Sequence, residues 1–233
     1  MKINLKTVIL AGGKGKRLYP YTTNFPKALM PINDKPILEI VICYLKKFGI
    51  RNVIISTGHL EELIRAFFGD GKKFGVKIEY SKEETQLGTA GPLSLLKNKL
   101  KDTFILMNSD VISDIDLNEF YHFHVMTKSK ITIAVSRREA FIDFGVIRVN
   151  NKNEFSGWDE KPVLNYNVST GIYLIEPEIL KYVPKNTPLD IPDFIFKLNS
   201  KKIKIGCYLH KGYWLDIGRP EDYEKACTDW LGS

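Results

Sequence analysis

Short apolar runs alternate with amphipathic stretches in the first half of the chain. Residues 7–10 form an apolar run that ends in glycines, a pattern typical of a buried parallel strand. Pro36 then opens an amphipathic stretch over residues 37–48, which predicts a helix ending at Gly49. The same alternation predicts strands at residues 52–57, 76–80 and 103–107, and helices at residues 60–68 and around 93–96. This order favours right-handed crossovers and a parallel sheet with helices on both faces.

The second half of the chain has a different pattern. Apolar runs at residues 131–135, 145–149 and 171–175 are separated by short turn-rich pieces and predict three strands. Further predicted elements are short helices at 178–182 and 192–198, a strand at 213–217 and a last helix that starts at Pro220. The whole pattern predicts one α/β domain over residues 1–233, with a Rossmann-like, mixed and mostly parallel sheet flanked by helices.

Composition narrows the class of protein. With 44% hydrophobic and 26% charged residues, the 233-residue chain is globular rather than disordered or fibrous. The net charge of +7 favours polyanionic partners, but its lysines are scattered, so small phosphorylated ligands are expected rather than nucleic acid or membrane. The three cysteines, at positions 43, 207 and 227, favour a reducing cytoplasm over a disulfide framework. We therefore expect a cytoplasmic protein that binds a phosphorylated small molecule.

The strongest local signal is the loop after the first strand. Residues 10–18 (LAGGKGKRL) place three glycines and three cations directly after an apolar run. Glycines let backbone N–H groups approach a phosphate, while Lys and Arg neutralise its charge. Neither common phosphate-loop motif matches, because Lys16 is followed by Arg17 and Leu18 stands where a third glycine is required. A cationic hairpin turn is the alternative to a phosphate-binding loop.

A second segment makes the phosphate interpretation more specific. Residues 26–31 (PKALMP) hold Lys27 between two prolines. Together with L-A-G-G-x-G-x-R-L-x-P-x-T at residues 10–22, this segment resembles the signature of the sugar-1-phosphate nucleotidylyltransferases. The resemblance covers nearly the whole chain and continues through LGTAG at 87–91, NSD at 108–110, EKP at 160–162 and WLDIGRP at 214–220. The most similar subgroup forms GDP-sugars from mannose, heptose or glucosamine 1-phosphates.

This resemblance implies a reaction and a set of site residues. A sugar 1-phosphate would attack the α-phosphate of a nucleoside triphosphate, with Mg²⁺ as the cofactor and pyrophosphate as the leaving group. The implied catalytic residues are Arg17, Lys27, Asp110 and Lys161, with Asp110 and Asp216 as the metal ligands. The implied nucleotide-binding residues are Leu10, Ala11, Gly12, Gly13, Lys14, Gly15, Glu83, Gly88 and Thr89. The implied sugar-phosphate-binding residues are Asn108, Gly145, Glu160, Lys161, Ser169, Thr170 and Gly171. Residues from about 1 to 125 would form the nucleotide-binding half, and residues from about 126 to 233 the sugar-phosphate-binding half.

Glu83 bears on the choice of base. Guanine presents two adjacent N–H donors that one carboxylate can accept together, so Glu83 favours GTP. The alternative is that Glu83 is a solvated acidic residue in a loop and does not contact the base.

The identity of the sugar stays open, because Ser109 and residues 169–171 depart from the family pattern. A homodimer also stays open. Competing functions are a cytidylyl- or thymidylyltransferase of the same fold and a catalytically silent regulatory subunit, although a silent subunit would be expected to lose Arg17, Lys27, Asp110 or Asp216.

Overall fold

A seven-stranded mixed sheet runs through the middle of the molecule. The computed structural model describes residues 5–229. In chain order the strands are β1 (Lys6–Ala11), β2 (Pro31–Ile32), β3 (Lys35–Pro36), β4 (Asn52–Thr57), β5 (Lys77–Lys82), β6 (Phe104–Asn108), β7 (Val111–Ser113), β8 (Ile131–Phe141), β9 (Val146–Val149), β10 (Phe155–Asp159), β11 (Val163–Ile175), β12 (Ile205–His210) and β13 (Trp214–Asp216). The α-helices are α1 (Ile37–Lys47), α2 (Glu61–Phe68), α3 (Leu117–Thr127), α4 (Ile191–Ser200) and α5 (Pro220–Asp229).

Strand directions confirm the predicted sheet. The order across the sheet is β12-β8-β11-β6-β1-β4-β5. Strands β1, β4, β5 and β6 pair in parallel, as the strand–helix alternation requires. Strand β11 is antiparallel to both β6 and β8, while β12 pairs in parallel with β8. The sheet is therefore mixed and mostly parallel, with the reversed strand near its centre.

Alternate side chains of the central strands supply two apolar layers. Val8 of β1 belongs to the layer that contains Phe194 of α4, whereas its neighbour Ile9 belongs to the layer that contains Leu38 of α1 and Phe68 of α2. All five side chains are almost completely buried. Successive residues of a strand point to opposite faces, so a strand covered on both sides must be apolar throughout. This arrangement confirms that helices lie on both faces of the sheet.

Two predicted helices are 3₁₀ helices, which are wound more tightly than α-helices. The helix predicted around residues 93–96 is the 3₁₀ helix Gly91–Leu95, and the one predicted at 178–182 is the 3₁₀ helix Pro177–Tyr182. Each has a proline at its first or second position and spans too few residues for a stable α-helix. Strands β8 and β11 are longer than predicted, with 11 and 13 residues.

The extended ends of β8 and β11 carry a small antiparallel ribbon away from the central sheet. This ribbon consists of β9 and β10 and is called the hairpin below. In residues 5–229, its strands pair only with each other. Within the same range, no helix combines the length and the apolar character needed to cross a membrane.

Candidate active site

A cavity of about 370 Å³ lies where β1 and β6 end. It is lined by the glycine-rich loop, by Lys27, by the loop from Glu83 to Thr89 and by residues 108–110. In open α/β sheets, ligands bind at the carboxyl ends of the parallel strands, where loops from neighbouring strands meet. The position of the cavity therefore matches the expectation for a substrate site.

The glycine-rich loop has the backbone freedom that its sequence predicts. Gly15 has φ +62°, and a Cβ added there would lie 2.9 Å from Cγ2 of Thr22. The Thr22 hydroxyl also donates to the Gly15 carbonyl at 2.8 Å, which fixes the turn. A Cβ added at Gly13 would meet no heavy atom within 4 Å outside its immediate neighbours, so the backbone there is open to a ligand. The loop can thus present backbone N–H groups to an anion.

Lys27 and Asp110 form an ion pair in the cavity. Lys27 opens the 3₁₀ helix Lys27–Leu29, whose Ala28 and Leu29 are buried, and its Nζ donates to Oδ2 of Asp110. Both side chains are mostly shielded, with 12% and 18% of their surface exposed. The other carboxylate oxygen of Asp110, Oδ1, is buried without a hydrogen-bond partner. An unpaired buried carboxylate oxygen is costly, so a cation bound at Oδ1 would be stabilising.

The β13–β7 pair brings Asp216 near Asp110, although Asp216 itself is outside the lining of the cavity. Asp216 lies opposite Val111, and the Ile217 N–H donates to the carbonyl of Asp110 at 3.0 Å. Burial raises the pKa of Asp216, and the charge of Asp110 raises it further, while Lys27 and Arg17 act in the opposite direction. Two carboxylates this close favour a shared cation. In residues 5–229, no group of three or more His, Cys, Asp or Glu side chains forms a metal site, so substrate oxygens would have to complete the coordination of Mg²⁺.

Two carboxylates hold the loop from Leu87 to Gly91, called the 87–91 loop below. Oε2 of Glu83 accepts the Leu87 N–H at 2.9 Å, and Oε1 accepts the Ser56 hydroxyl at 3.3 Å. Oδ1 of Asp190 accepts both the N–H and the hydroxyl of Thr89, at 3.0 and 3.2 Å. Burial raises the pKa of Glu83. The cavity thus has the cations Lys16, Arg17 and Lys27 among its lining residues, and the carboxylates of Glu83 and Asp190 at the 87–91 loop.

Most of the predicted nucleotide-binding residues meet at this cavity. The predicted residues that line it are Leu10, Ala11, Gly12, Gly13, Gly15, Arg17, Lys27, Glu83, Gly88, Thr89, Asn108 and Asp110. Lys14 is outside this lining. Lining residues that sequence reasoning did not select are Lys16, Ala28, Gln86, Ser109, Asp190 and Gly218. Four of these six residues, Lys16, Ala28, Ser109 and Gly218, lie inside motifs already quoted, whereas nothing in the local sequence around Asp190 indicates the site.

The predicted sugar-phosphate residues divide into two groups. Gly171 is outside the cavity lining but lies next to the lining residue Asn108, since a Cβ added to Gly171 would be 2.6 Å from Nδ2 of Asn108. Thr170 has structural contacts: its hydroxyl donates to the Ala134 carbonyl, and its own carbonyl accepts from Trp214. The Ser169 hydroxyl is 2.8 Å from that of Tyr173.

The second group lies on the hairpin or beside it. Glu160 accepts from Nε1 of Trp158 at 2.8 Å, and the Trp158 ring packs against Gly145. Lys161 pairs with Asp143 at 3.0 Å and is 61% exposed. Neither Gly145, Glu160 nor Lys161 lines the cavity, so their contact with a sugar phosphate stays a prediction.

Comparison with known proteins identifies the family. The model of the nucleotidyl transferase family matches residues 6–232. The chain belongs to the nucleotidyl transferase family. Within it, this nucleotidyl transferase groups with the sugar-1-phosphate enzymes, which confirms the resemblance found in its motifs.

Two relatives and one solved structure illustrate the similarity. The heptose 1-phosphate guanylyltransferase of Campylobacter jejuni, whose sugar is D-glycero-alpha-D-manno-heptose, is 33% identical over 94% of this chain and 97% of its own length. The UTP–glucose-1-phosphate uridylyltransferase of Synechocystis is 31% identical over 95% of this chain, which spans 62% of that protein. HddC from Yersinia pseudotuberculosis has the same fold, with a TM-score of 0.78 at 24% identity, and the match covers 97% of this chain and 99% of HddC.

The backbone of the 87–91 loop gives a first prediction, on stability. Gly88 has φ +76°, and a Cβ there would lie 2.6 Å from Oδ1 of Asp190 and 2.8 Å from the carbonyl oxygen of Leu189. We expect Gly88→Ala to lower the free energy of unfolding by about 1–2 kcal/mol from the left-handed backbone alone, with the contacts adding to this loss. Urea unfolding of the wild type and the variant measures this loss in the free energy of unfolding. Gly13→Ala is the matched control, and equal stability of the two variants would contradict the prediction.

Proposed function

We propose that this nucleotidyl transferase joins a sugar 1-phosphate to the nucleoside monophosphate part of GTP, in a Mg²⁺-dependent reaction that releases pyrophosphate. One observation carries the proposal: the buried, unpartnered Oδ1 of Asp110 lies beside Lys27 in a cavity lined by a glycine-rich loop, and Asp216 is near enough to feel the charge of both residues. This arrangement suits two anionic reactants that must be brought together.

The chemistry follows from the charges. An oxygen of the sugar phosphate forms a bond to the α-phosphorus, while the bond from that phosphorus to the bridging oxygen breaks and pyrophosphate leaves. Lys27, Lys16 and Arg17 neutralise the phosphates and hold them in line, and the reaction requires no protein nucleophile. Asp110 and Asp216 would hold Mg²⁺, which supplies further neutralisation of phosphate charge when bound. The loop N–H groups add donors without the reorganisation that water would need.

The carboxylates at the 87–91 loop support guanine. Both oxygens of Glu83 accept one hydrogen bond from the protein, and each keeps a second lone pair for the N–H groups of a base. Because the named relatives include guanylyl- and uridylyltransferases, the base is inferred from these residues and from the guanylyltransferases among the relatives. Guanylyltransferases for heptose 1-phosphate and for mannose 1-phosphate are both among the relatives, which supports a sugar 1-phosphate of one of these two types as the acceptor.

A substrate panel tests the proposed function. Pyrophosphate release is measured with GTP, UTP, dTTP and CTP against mannose, heptose, glucosamine and glucose 1-phosphates, with and without Mg²⁺. We expect GTP to be preferred by roughly tenfold to a hundredfold, the range that ~1–3 kcal/mol of hydrogen bonding provides. Better use of UTP, dTTP or CTP would overturn the base assignment. Absence of pyrophosphate release with every pair would overturn the proposed reaction.

Glu83 gives a second prediction, on base choice and its pH dependence. Glu83→Gln keeps an oxygen for the Leu87 N–H but cannot accept two base donors with one charged group, so the GTP preference should narrow. Since burial raises the pKa of Glu83, its carboxylate is lost at a higher pH than that of an ordinary glutamate. The KM for GTP should therefore rise as the pH falls through that range in the wild type but stay flat in Glu83→Gln. Parallel pH profiles would count against the role of Glu83.

A further inference from the structure

Lysines that are far apart in the sequence meet at a second cavity. It has a volume of about 240 Å³, and its lining includes Lys130, Lys181, Lys202 and Lys204. Lys130 immediately precedes β8, Lys181 lies in the 3₁₀ helix that ends at Tyr182, and the other two lysines follow α4. Three separate segments thus bring four cations to one concave surface, which is called the lysine cavity below.

The lysine cavity lies at the opposite end of the sheet from the candidate active site. Ile175, the last residue of β11, pairs with Phe104 and with Ile131, which are the first residues of β6 and β8. Lys130 adjoins this end, whereas the active-site cavity lies where β6 ends. The five residues of β6 separate the two ends by roughly 16 Å, so a ligand in the lysine cavity would be distinct from the substrates.

The lysine cavity has an excess of positive charge. Glu178 is the one acidic residue among its described lining residues, and its Oε1 pairs with Nζ of Lys130 at 3.0 Å. Within residues 5–229, Lys181, Lys202 and Lys204 form no ion pair. Like charges gathered in one place repel one another, and a bound anion would remove that repulsion. Four lysines and one glutamate leave three positive charges for an anion to balance.

Further ammonium groups lie around Tyr182, which also lines the cavity. Nζ of Lys201 is 5.5 Å from the centre of the Tyr182 ring, and Lys197 donates to the Tyr182 carbonyl at 2.9 Å. Cations are favoured at the carboxyl end of a helix, which accounts for Lys197 and Lys201 at the end of α4. The same effect does not account for Lys130 and Lys204, because these two residues belong to no helix.

The backbone at Lys202 is strained. This residue follows the C-cap of α4 and has φ +56°, a left-handed conformation that glycine adopts without strain. A lysine at this position costs stability relative to glycine, and strained residues are concentrated at ligand sites. Replacing Lys202 by glycine therefore removes a charge from the cavity without endangering the fold.

We propose that the lysine cavity binds a small anion with two or more adjacent phosphate groups. Its volume has room for roughly eight water molecules at ~30 Å³ each, which is enough for a diphosphate or triphosphate group. A single phosphate group carries at most about two negative charges at neutral pH, so two or more are needed to balance the lining. The cavity offers a membrane no exposed apolar side chain to insert, because Ile179 is buried and Ile203 is half-buried. The site is independent of the proposed reaction.

Nuclear magnetic resonance of the full chain, labelled with ¹⁵N-lysine, tests the proposal. Sodium tripolyphosphate is titrated in without Mg²⁺, and the amide signals of Lys202 and Lys204 should move along a saturable curve with a Kd below about 1 mM. Each signal is assigned by its loss in Lys202→Gly or Lys204→Gln. Signals of Lys16 and Lys27, assigned in the same way, report on the active site, so a failure at one cavity is distinguished from a failure at the other.

A charge-matched pair of variants locates the binding. Lys202→Gly/Lys204→Gln should bind tripolyphosphate roughly tenfold or more weakly at the lysine cavity, as read from the amide signal of Lys130, and should be at least as stable as the wild type in thermal unfolding. The control Lys72→Gln/Lys152→Gln removes the same charge at two exposed lysines that line neither cavity. This control should bind as the wild type does.

Four results would overturn the proposal. The first is the absence of saturable movement of the Lys202 and Lys204 signals at about 10 mM tripolyphosphate. The second is equal weakening in both double variants, which would show unspecific attraction between charges. The third is inorganic phosphate that binds as tightly as tripolyphosphate, since one phosphate group would then suffice. The fourth is retention of the wild type, but not of Lys202→Gly/Lys204→Gln, by phosphatidylserine vesicles without any response to tripolyphosphate, which would identify a membrane surface instead.

Discussion

Replacing either of the two proposed metal-binding aspartates by asparagine is expected to reduce turnover by roughly a hundredfold or more, about 2.7 kcal/mol of barrier. Asp110 combines a buried, unpartnered oxygen with the Lys27 ion pair, and Asp216 lies close enough for the two carboxylates to raise each other's affinity for a cation. An amide keeps the shape but loses the charge that holds Mg²⁺. Pyrophosphate release across a Mg²⁺ titration measures both variants, Asp110→Asn and Asp216→Asn.

The control for these variants is Asp102→Asn, a change at an exposed aspartate outside the cavity lining, which should leave turnover unchanged. Circular dichroism and thermal unfolding establish that each variant is folded. Near-normal rates at saturating Mg²⁺ in both active-site variants would show that the metal assignment is wrong.

Lys27→Ala is expected to lower kcat by roughly a hundredfold while changing the KM values much less, the signature of a contact made mainly in the transition state. Lys27 lines the cavity from a position fixed by a short helix and by Asp110, and in the proposed reaction it would face the phosphates. Lys161→Ala should instead raise the KM for the sugar 1-phosphate, if the predicted anchoring role holds. Steady-state kinetics with each substrate varied in turn separates the two patterns.

The exposed Lys152, in the turn of the hairpin, supplies the neutral control as Lys152→Ala. Because Lys27→Ala leaves the Asp110 carboxylate without its cation, Lys27→Arg is measured beside it and should recover part of the rate. Identical kinetic profiles for Lys27→Ala and Lys161→Ala would contradict the separate roles.

Sequence patterns predicted the buried elements better than the exposed ones. The six residues of β4 were predicted with their bounds, because continuous apolar runs between turn signals mark strands covered on both faces. The sequence did not indicate α3, since Val125 and Met126 are exposed and blur the apolar stripe that marks a helix. The edge strand β12 was missed for a similar reason: an edge exposes apolar residues such as Leu209 and lacks a clear alternation.

The residues of the candidate site also differ in how far the sequence could predict them. Residues within one motif, such as those of the glycine-rich loop, could be selected because their chemistry is visible over a few positions. Asp190 could not, because its partner Thr89 precedes it by 101 residues and only the folded sheet brings them together. The placement of Lys161 also depends on the path of the extended β8 and β11 strands, which no local pattern determines.

The bonds that hold the 87–91 loop limit how the protein can be recombined. Leu189 donates to the Leu87 carbonyl at 2.9 Å and accepts from the Ala90 N–H at 2.8 Å, so the loop and the segment before α4 behave as one folded unit. A loop grafted from a relative that uses another base would be placed against Asp190 and Leu189 of this chain instead of against its own partner residues. Chimeras designed to exchange nucleotide preference should therefore transplant both segments together, although they lie in opposite halves of the gene.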